Sequence, residues 1–174
     1  EFIHLKYGKE IPAVKLQDIL QNQQEQIMDD LGSLKPLALF KEYLKHGYYP
    51  YFIESQKNYN LRLLATINLV TETDLPSIFH FDYHSVHKIK KLPAILARIA
   101  PYKPNIQKLA QQLGSTRDTL LKYLFYLEKA RIVKWLGKDT FGINYLNKPE
   151  KLFLDNTNLM YAISNENPNK GNMR

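Results

Sequence analysis

Residues 105 to 135, NIQKLAQQLGSTRDTLLKYLFYLEKARIVKW, limit what the chain can fold into more than any other stretch. Ile106, Leu109, Ala110 and Leu113 recur at helical spacing. Gly114 suits the left-handed residue that closes a helix. Ser115 is the expected cap of the next helix, and Asp118, three residues on, places a carboxylate in its first turn, where the helix dipole favours it. Leu120, Leu124 and Leu127 form the expected buried stripe of that second helix, and Ile132, Val133, Trp135 and Leu136 form a short β-prone run. Two helices joined by a three- to four-residue turn make a helix-turn-helix pattern, and the strand that follows points to the winged variety. An ordinary helical hairpin is the plainer alternative.

Charge is concentrated around the same stretch. Residues 84–138 hold twelve Lys and Arg against two acids, Asp118 and Glu128, for a net +10 in a chain whose total is +7; the remainder carries −3. A localised basic excess is the electrostatic footprint of a phosphate-binding surface; a solvated Lys-rich helix surface is the alternative. The absence of Cys excludes disulfides and thiolate metal ligands. No apolar run approaches the roughly 20 residues needed to cross a bilayer, and the opening EFIHLKYGKE has no basic-then-apolar signal arrangement. A soluble, cytoplasmic protein without a membrane partner is the expectation. The first residue is Glu, so the chain is expected to be a piece of a longer polypeptide.

Taken in order, residues 1 to 8 suggest a helix already under way, and the Gln/Asn-rich run over 21–26 is too polar for core. Leu37, Phe40, Tyr43 and Leu44 predict an amphipathic helix stopped by Gly47, followed by a dense aromatic turn at Tyr48, Tyr49, Pro50, Tyr51 and Phe52 that is expected to pack onto the core. A helix over 58–76 is expected to turn Leu61, Leu64, Ile67 and Leu69 inward, with Pro76 at its end or at the start of the next. Ile89, Leu92, Ile95, Leu96 and Ile99 mark another amphipathic helix, interrupted or restarted at Pro93. Residues 137–147 would form the wing or a longer excursion, Leu152 to Leu154 the returning strand, and Asn156 or Thr157 would cap a last helix through Ile163.

Three pieces in this order resemble a known group: Glu1 and Phe2, FKEYLKHGYYP over 40–50, and KPEKLFLDNTNL over 148–159. They are similar to the middle-to-late part of a bacterial and archaeal group of AAA-superfamily ATPases, in which a P-loop core is followed by a helical lid, a winged helix and a C-terminal restriction-endonuclease-like domain. Glu1 and Phe2 resemble the F-x-E-F sequence that closes the core. Gly47, Tyr49 and Pro50 resemble the G-G-Y-P turn, with Tyr48 in place of its second Gly. Asp74 and Leu75 match the Asp-hydrophobic end of the lid. Lys148, Pro149, Lys151, Leu154, Asp155 and Leu159 match the K-P-x-K-x-Y-x-x-D segment. The resemblance implies a mainly α chain: a helical lid bundle over 1–76, a winged helix-turn-helix with a small β wing over 77–163, and a loose tail over 164–174. No G-x-x-x-x-G-K-[ST] loop is present. ATP and Mg would therefore belong to a parent ATPase, this chain would hold no cofactor and catalyse nothing by itself, and the ATPase core or the nuclease-like domain would be a partner.

DNA is the other expected partner. Ser115, Thr116, Arg117, Thr119 and Lys122 occupy the start and outer face of the second helix, the part that enters a major groove; Arg117 suits guanine. Lys88, Lys90, Lys91, Lys103, Lys134 and Lys138 would position the duplex through its phosphates. Leu121 and Phe125 are apolar on the same surface and are the candidates for an alternative, a regulatory protein-interaction module. His80, Asp82, His84 and His87 fall within eight residues. On a continuous helix His80 and His84 would share a face, as would His84 and His87, a spacing some metal sites use. Phe81 stands where a metallopeptidase needs its Glu, so these histidines are weak metal candidates and no metal is expected.

Overall fold

The computed structural model describes residues 1–20, 29, 31–99, 103–137 and 149–164. It is mainly helical, with a two-stranded antiparallel sheet among the described residues. The chain divides into two compact units, residues 1–59 and 60–174. The Gln-rich run and most of the expected wing lie outside the described residues, as does Lys148.

In the first unit, α1 (Phe2–Tyr7) ends at Gly8, and α2 (Leu16–Leu20), α3 (Pro36–His46) and α4 (Tyr51–Glu54) follow. Phe2 is buried edge-on against Tyr43 and Phe52, with ring centres 5.7 and 5.0 Å away. Pro36 fits the start of α3, where its missing N–H costs nothing. The inward residue of α3 is Leu39, while Leu37 is 78% exposed and Phe40 is exposed too, which corrects the expected stripe. The reason lies at Gly47, whose φ of −106° any residue adopts. A methyl group there would stand 2.6 Å from the Tyr43 Cα and 2.8 Å from the Phe2 ring. The glycine therefore lets the end of α3 close on Phe2, and that contact sets which face turns in. An ion pair between Lys6 and Glu42 ties α1 to α3, and Gln56 Nε2 donates to the same carboxylate at 2.9 Å. The aromatic turn packs onto the core in part: Tyr49, Tyr51 and Phe52 are half-buried, with Phe52 against Phe2 and Tyr51 against Tyr59, whereas Tyr48 and Pro50 are exposed. Tyr59 is fully buried, its hydroxyl accepts the Tyr49 N–H at 3.2 Å, and Tyr49 stacks on Tyr51 at 6.2 Å. Burial pushes the Tyr59 phenol up to about 12.

Next come α5 (Tyr59–Leu69), a π-helical turn (Val70–Asp74) and α6 (Leu75–Phe79), which lead into the second unit. The buried positions there are Leu63, Ile67, Thr71 and Leu75, spaced by four, whereas Leu61 is 70% exposed and Leu69 is exposed. Of the expected stripe Ile67 is buried and Leu64 half-buried, while Leu61 and Leu69 fall outside it because Thr71, a polar residue, belongs to the core: its hydroxyl donates to the Ile67 carbonyl at 2.8 Å. Pro76 sits in the first turn of α6.

The long α7 (Tyr83–Ile99) buries Ile89, Leu92, Pro93, Leu96 and Ala97. Pro93 lies inside it, leaving the Ile89 carbonyl without that N–H. Ile99, expected inside, is exposed. After α8 (Ile106–Gln112) and α9 (Arg117–Lys129), β1 (Val133–Leu136) pairs antiparallel with β2 (Lys151–Leu154), Val133 facing Leu154 and Leu136 facing Lys151. The last described helix, α10 (Thr157–Ser164), is capped by Asn156, whose side-chain oxygen accepts the Leu159 N–H at 3.1 Å. α7 packs against α10, β2 and the π-helical turn, and α9 against α8 and β1. No described helix is long and apolar enough to cross a membrane.

Candidate nucleic-acid interface

Local chemistry sets the turn between α8 and α9. Asn105 caps α8 by accepting the Lys108 N–H at 3.0 Å. Ile106, Leu109, Ala110 and Leu113 are all buried. Gly114, at φ 57°, closes α8 in a Schellman arrangement: the Ser115 N–H donates to the Ala110 carbonyl at 2.9 Å and the Gly114 N–H to the Gln111 carbonyl at 3.0 Å. Ser115 is thereby used in ending the first helix. The cap of α9 is instead Thr116, in extended conformation, whose hydroxyl accepts the Thr119 N–H at 3.2 Å and lies 2.8 Å from the Thr119 hydroxyl. Asp118 falls in the first turn as expected, but Ser115 Oγ is buried with no hydrogen-bond partner among the described residues.

One bond holds this turn to α7 and a second holds α9 to it. Lys88 Nζ donates to the Gly114 carbonyl at 2.5 Å, and the Tyr123 hydroxyl donates to Ser85 Oγ at 2.9 Å. Ser85 in turn donates its N–H to Asp82 Oδ1 at 2.7 Å, and this side chain and backbone bonding holds the Asp82 carboxyl below the ordinary range. Asp82 thus serves the start of α7.

α9 has two distinct faces. Leu120, Tyr123, Leu124 and Leu127 are buried. Arg117, Asp118, Lys122, Phe125 and Lys129 are exposed, with Thr119, Leu121 and Tyr126 half-buried at the margins. Arg117 Nη1 lies 3.6 Å from Asp118 Oδ1. The expected phosphate contacts separate into groups. Lys88 is engaged by the turn, and Lys90 is ion-paired with Glu72. Lys91 and Lys103 are exposed, as is Lys134 on β1, whereas Lys138 lies outside the described residues.

An aromatic cluster behind α9 went unrecognised in the sequence. Tyr126 stacks on Phe79 at 4.0 Å and contacts Phe81 at 4.9 Å, and Phe81 meets Tyr123 at 6.2 Å. Its signal was there in the Phe79-x-Phe81 alternation and the i, i+3 pair Tyr123 and Tyr126. Tyr126 also holds the edge of Phe125 at 5.8 Å, and the Lys129 ammonium sits 5.4 Å from the centre of the Phe125 ring. At the far end of the helix, burial pushes the Glu128 carboxyl up, partly offset by the N–H of Trp135. Arg131 closes α9 at φ 58°, its Nε 3.5 Å from Asp155 Oδ1. A left-handed arginine costs roughly 1–2 kcal/mol, and its ion pair to a nearly buried Asp155 helps hold it there.

The histidines do not form the expected helical face. His80 ends α6 in the left-handed conformation, so the chain leaves the helix between His80 and His84; only His84 and His87 share α7, and both are exposed. Among the described residues no group of three or more His, Asp or Glu stands close enough to hold a metal ion.

Residues 37–170 match the family described as "Domain of unknown function (DUF8612)". No curated protein and no solved structure matches the chain.

Proposed function

The chain belongs to the DUF8612 family, and on the chemistry of its own residues we propose that it is a non-catalytic module that binds duplex DNA through a winged helix-turn-helix. In this reading α8 and α9 are the helix-turn-helix, α9 is the recognition helix, and β1 and β2 frame the wing. The observation that carries it is the outer face of α9. Arg117 and Lys122 are exposed at its start and middle, Asp118 is the one acid in its first turn, and the surrounding segment carries +10. Phosphate-directed cations beside an exposed helix suit a groove lined by anionic backbones.

We further propose that this module is the lid and winged-helix part of an AAA-type ATPase acting in the cytoplasm, with ATP and Mg handled by a core it docks with. Three of the residues that carry the resemblance support this by their packing: Phe2 and Gly47 pack closely in the first unit, and Asp155 pairs with Arg131 in the second. A second reading has its own observation: Phe125 is 42% exposed beside half-buried Leu121, as in a protein-interaction face.

The test is duplex binding by the 174-residue chain beside an Arg117→Glu, Lys122→Glu double variant. Both side chains are exposed, and a Glu in the first turn agrees with the helix dipole, so helicity by circular dichroism should be unchanged. The variant is expected to bind roughly tenfold more weakly or worse. Equal binding by the two proteins would contradict the proposal and favour the protein-interaction face.

A further inference from the structure

Asp118, Leu121, Lys122 and Phe125 stand at i, i+3, i+4 and i+7 of α9. Residues at this spacing share one stripe of a helix, and the stripe runs about 10 Å along the axis, the length of about three base pairs. Two of its four members are apolar. In the major groove the apolar feature that distinguishes one base from the others is the 5-methyl group of thymine.

Phe125 is well prepared for such a contact. The residue is 42% exposed, yet its ring is not loose: the edge is held by Tyr126, which is itself stacked on Phe79, and the Lys129 ammonium lies against it. An aromatic side chain fixed in this way loses little freedom on binding. Lys122, next to it on the stripe, has no ion-pair partner among the described residues and supplies the attraction that would bring a duplex onto this face. A protein partner would gain from the same apolar surface, but the surplus of cations around it, Arg117, Lys122 and Lys129 against Asp118, matches a polyanion.

Resting on the DNA-binding reading above, we infer that Phe125, with Leu121 beside it, is the specificity-determining contact of α9 and that it reads thymine methyl groups in the major groove. The two apolar residues then select A·T pairs, while Arg117 and Lys122 provide attraction and register.

The test compares duplexes of one mixed sequence containing either thymine or uracil at every T position. Uracil pairs identically and lacks only the methyl group. Wild type is expected to bind the uracil duplex about fourfold more weakly, the worth of one buried methyl group. Phe125→Ala is expected to lose most of the preference, a Leu121→Ala, Phe125→Ala double variant to bind both duplexes alike, each with an unchanged salt dependence, and Phe125→Leu to regain part of the preference. If wild type binds both duplexes equally and with steep salt dependence, the methyl-reading role is wrong while DNA binding stands. If Phe125→Ala keeps the full preference, the reader is another residue. If wild type shows no salt-dependent binding to either duplex, this inference falls together with the reading beneath it.

Discussion

At the scale of single residues, the clearest consequence concerns His46. Its ring meets Tyr59 edge-on at 5.5 Å, and Nδ1 is buried with no hydrogen-bond partner among the described residues. Burial lowers its pKa from 6.5, opposed by Glu42 and assisted by Lys45 and Lys6. Above 6.5 the folded and unfolded chains both hold the imidazole neutral, and no stability is lost. As pH falls through 6.5 towards the lowered native value, the unfolded chain takes up a proton that the native chain refuses, so stability decreases. Denaturant unfolding at pH 7.5 and 5.5 should show the native state weaker at the lower pH. His46→Gln should remove this part of the difference; an unchanged difference would place its origin elsewhere.

At the scale of elements, the two candidate caps of α9 behave oppositely. Thr116→Ala removes the bond to the Thr119 N–H and should cost about 1 kcal/mol. Ser115→Ala removes a buried hydroxyl that has no partner and should be neutral or slightly stabilising. Urea melts of the two variants decide between them, and a larger loss for Ser115→Ala would return the cap to that residue. The helices around this turn were legible because Ile106, Leu109, Ala110, Leu120, Leu124 and Leu127 are apolar, unambiguous in phase and all buried. The cap was misplaced by one residue, since a Schellman closure takes up the residue after its glycine, and that closure is a backbone event. The stripe of α5 was hidden for another reason. A helix rich in leucine offers two overlapping apolar faces, and Thr71, bonded inward, marks the true one. Tyr123 was likewise missed as core because its polar tip ends on Ser85. Basic side chains were legible as a set, but not that Lys88 and Lys90 are occupied by Gly114 and Glu72, since those partners lie far along the chain.

At the scale of the whole molecule, the organising fact is the separation of charge along the chain, +10 over residues 84–138 against −3 elsewhere. Five of the expected cationic contacts, Lys91, Lys103, Arg117, Lys122 and Lys134, are exposed. A protein that neutralises DNA phosphates releases the ions condensed on them, so its affinity falls with salt in proportion to the number of contacts. The most direct measurement is therefore the affinity of the 174-residue chain for a labelled duplex from 50 to 200 mM salt. With about five contacts, the logarithm of affinity should fall against the logarithm of salt with a slope of about −4 to −5, a loss of roughly several hundred-fold over that range. A slope near zero, or no binding at 50 mM, would contradict the account and leave the exposed face of α9 to a protein partner.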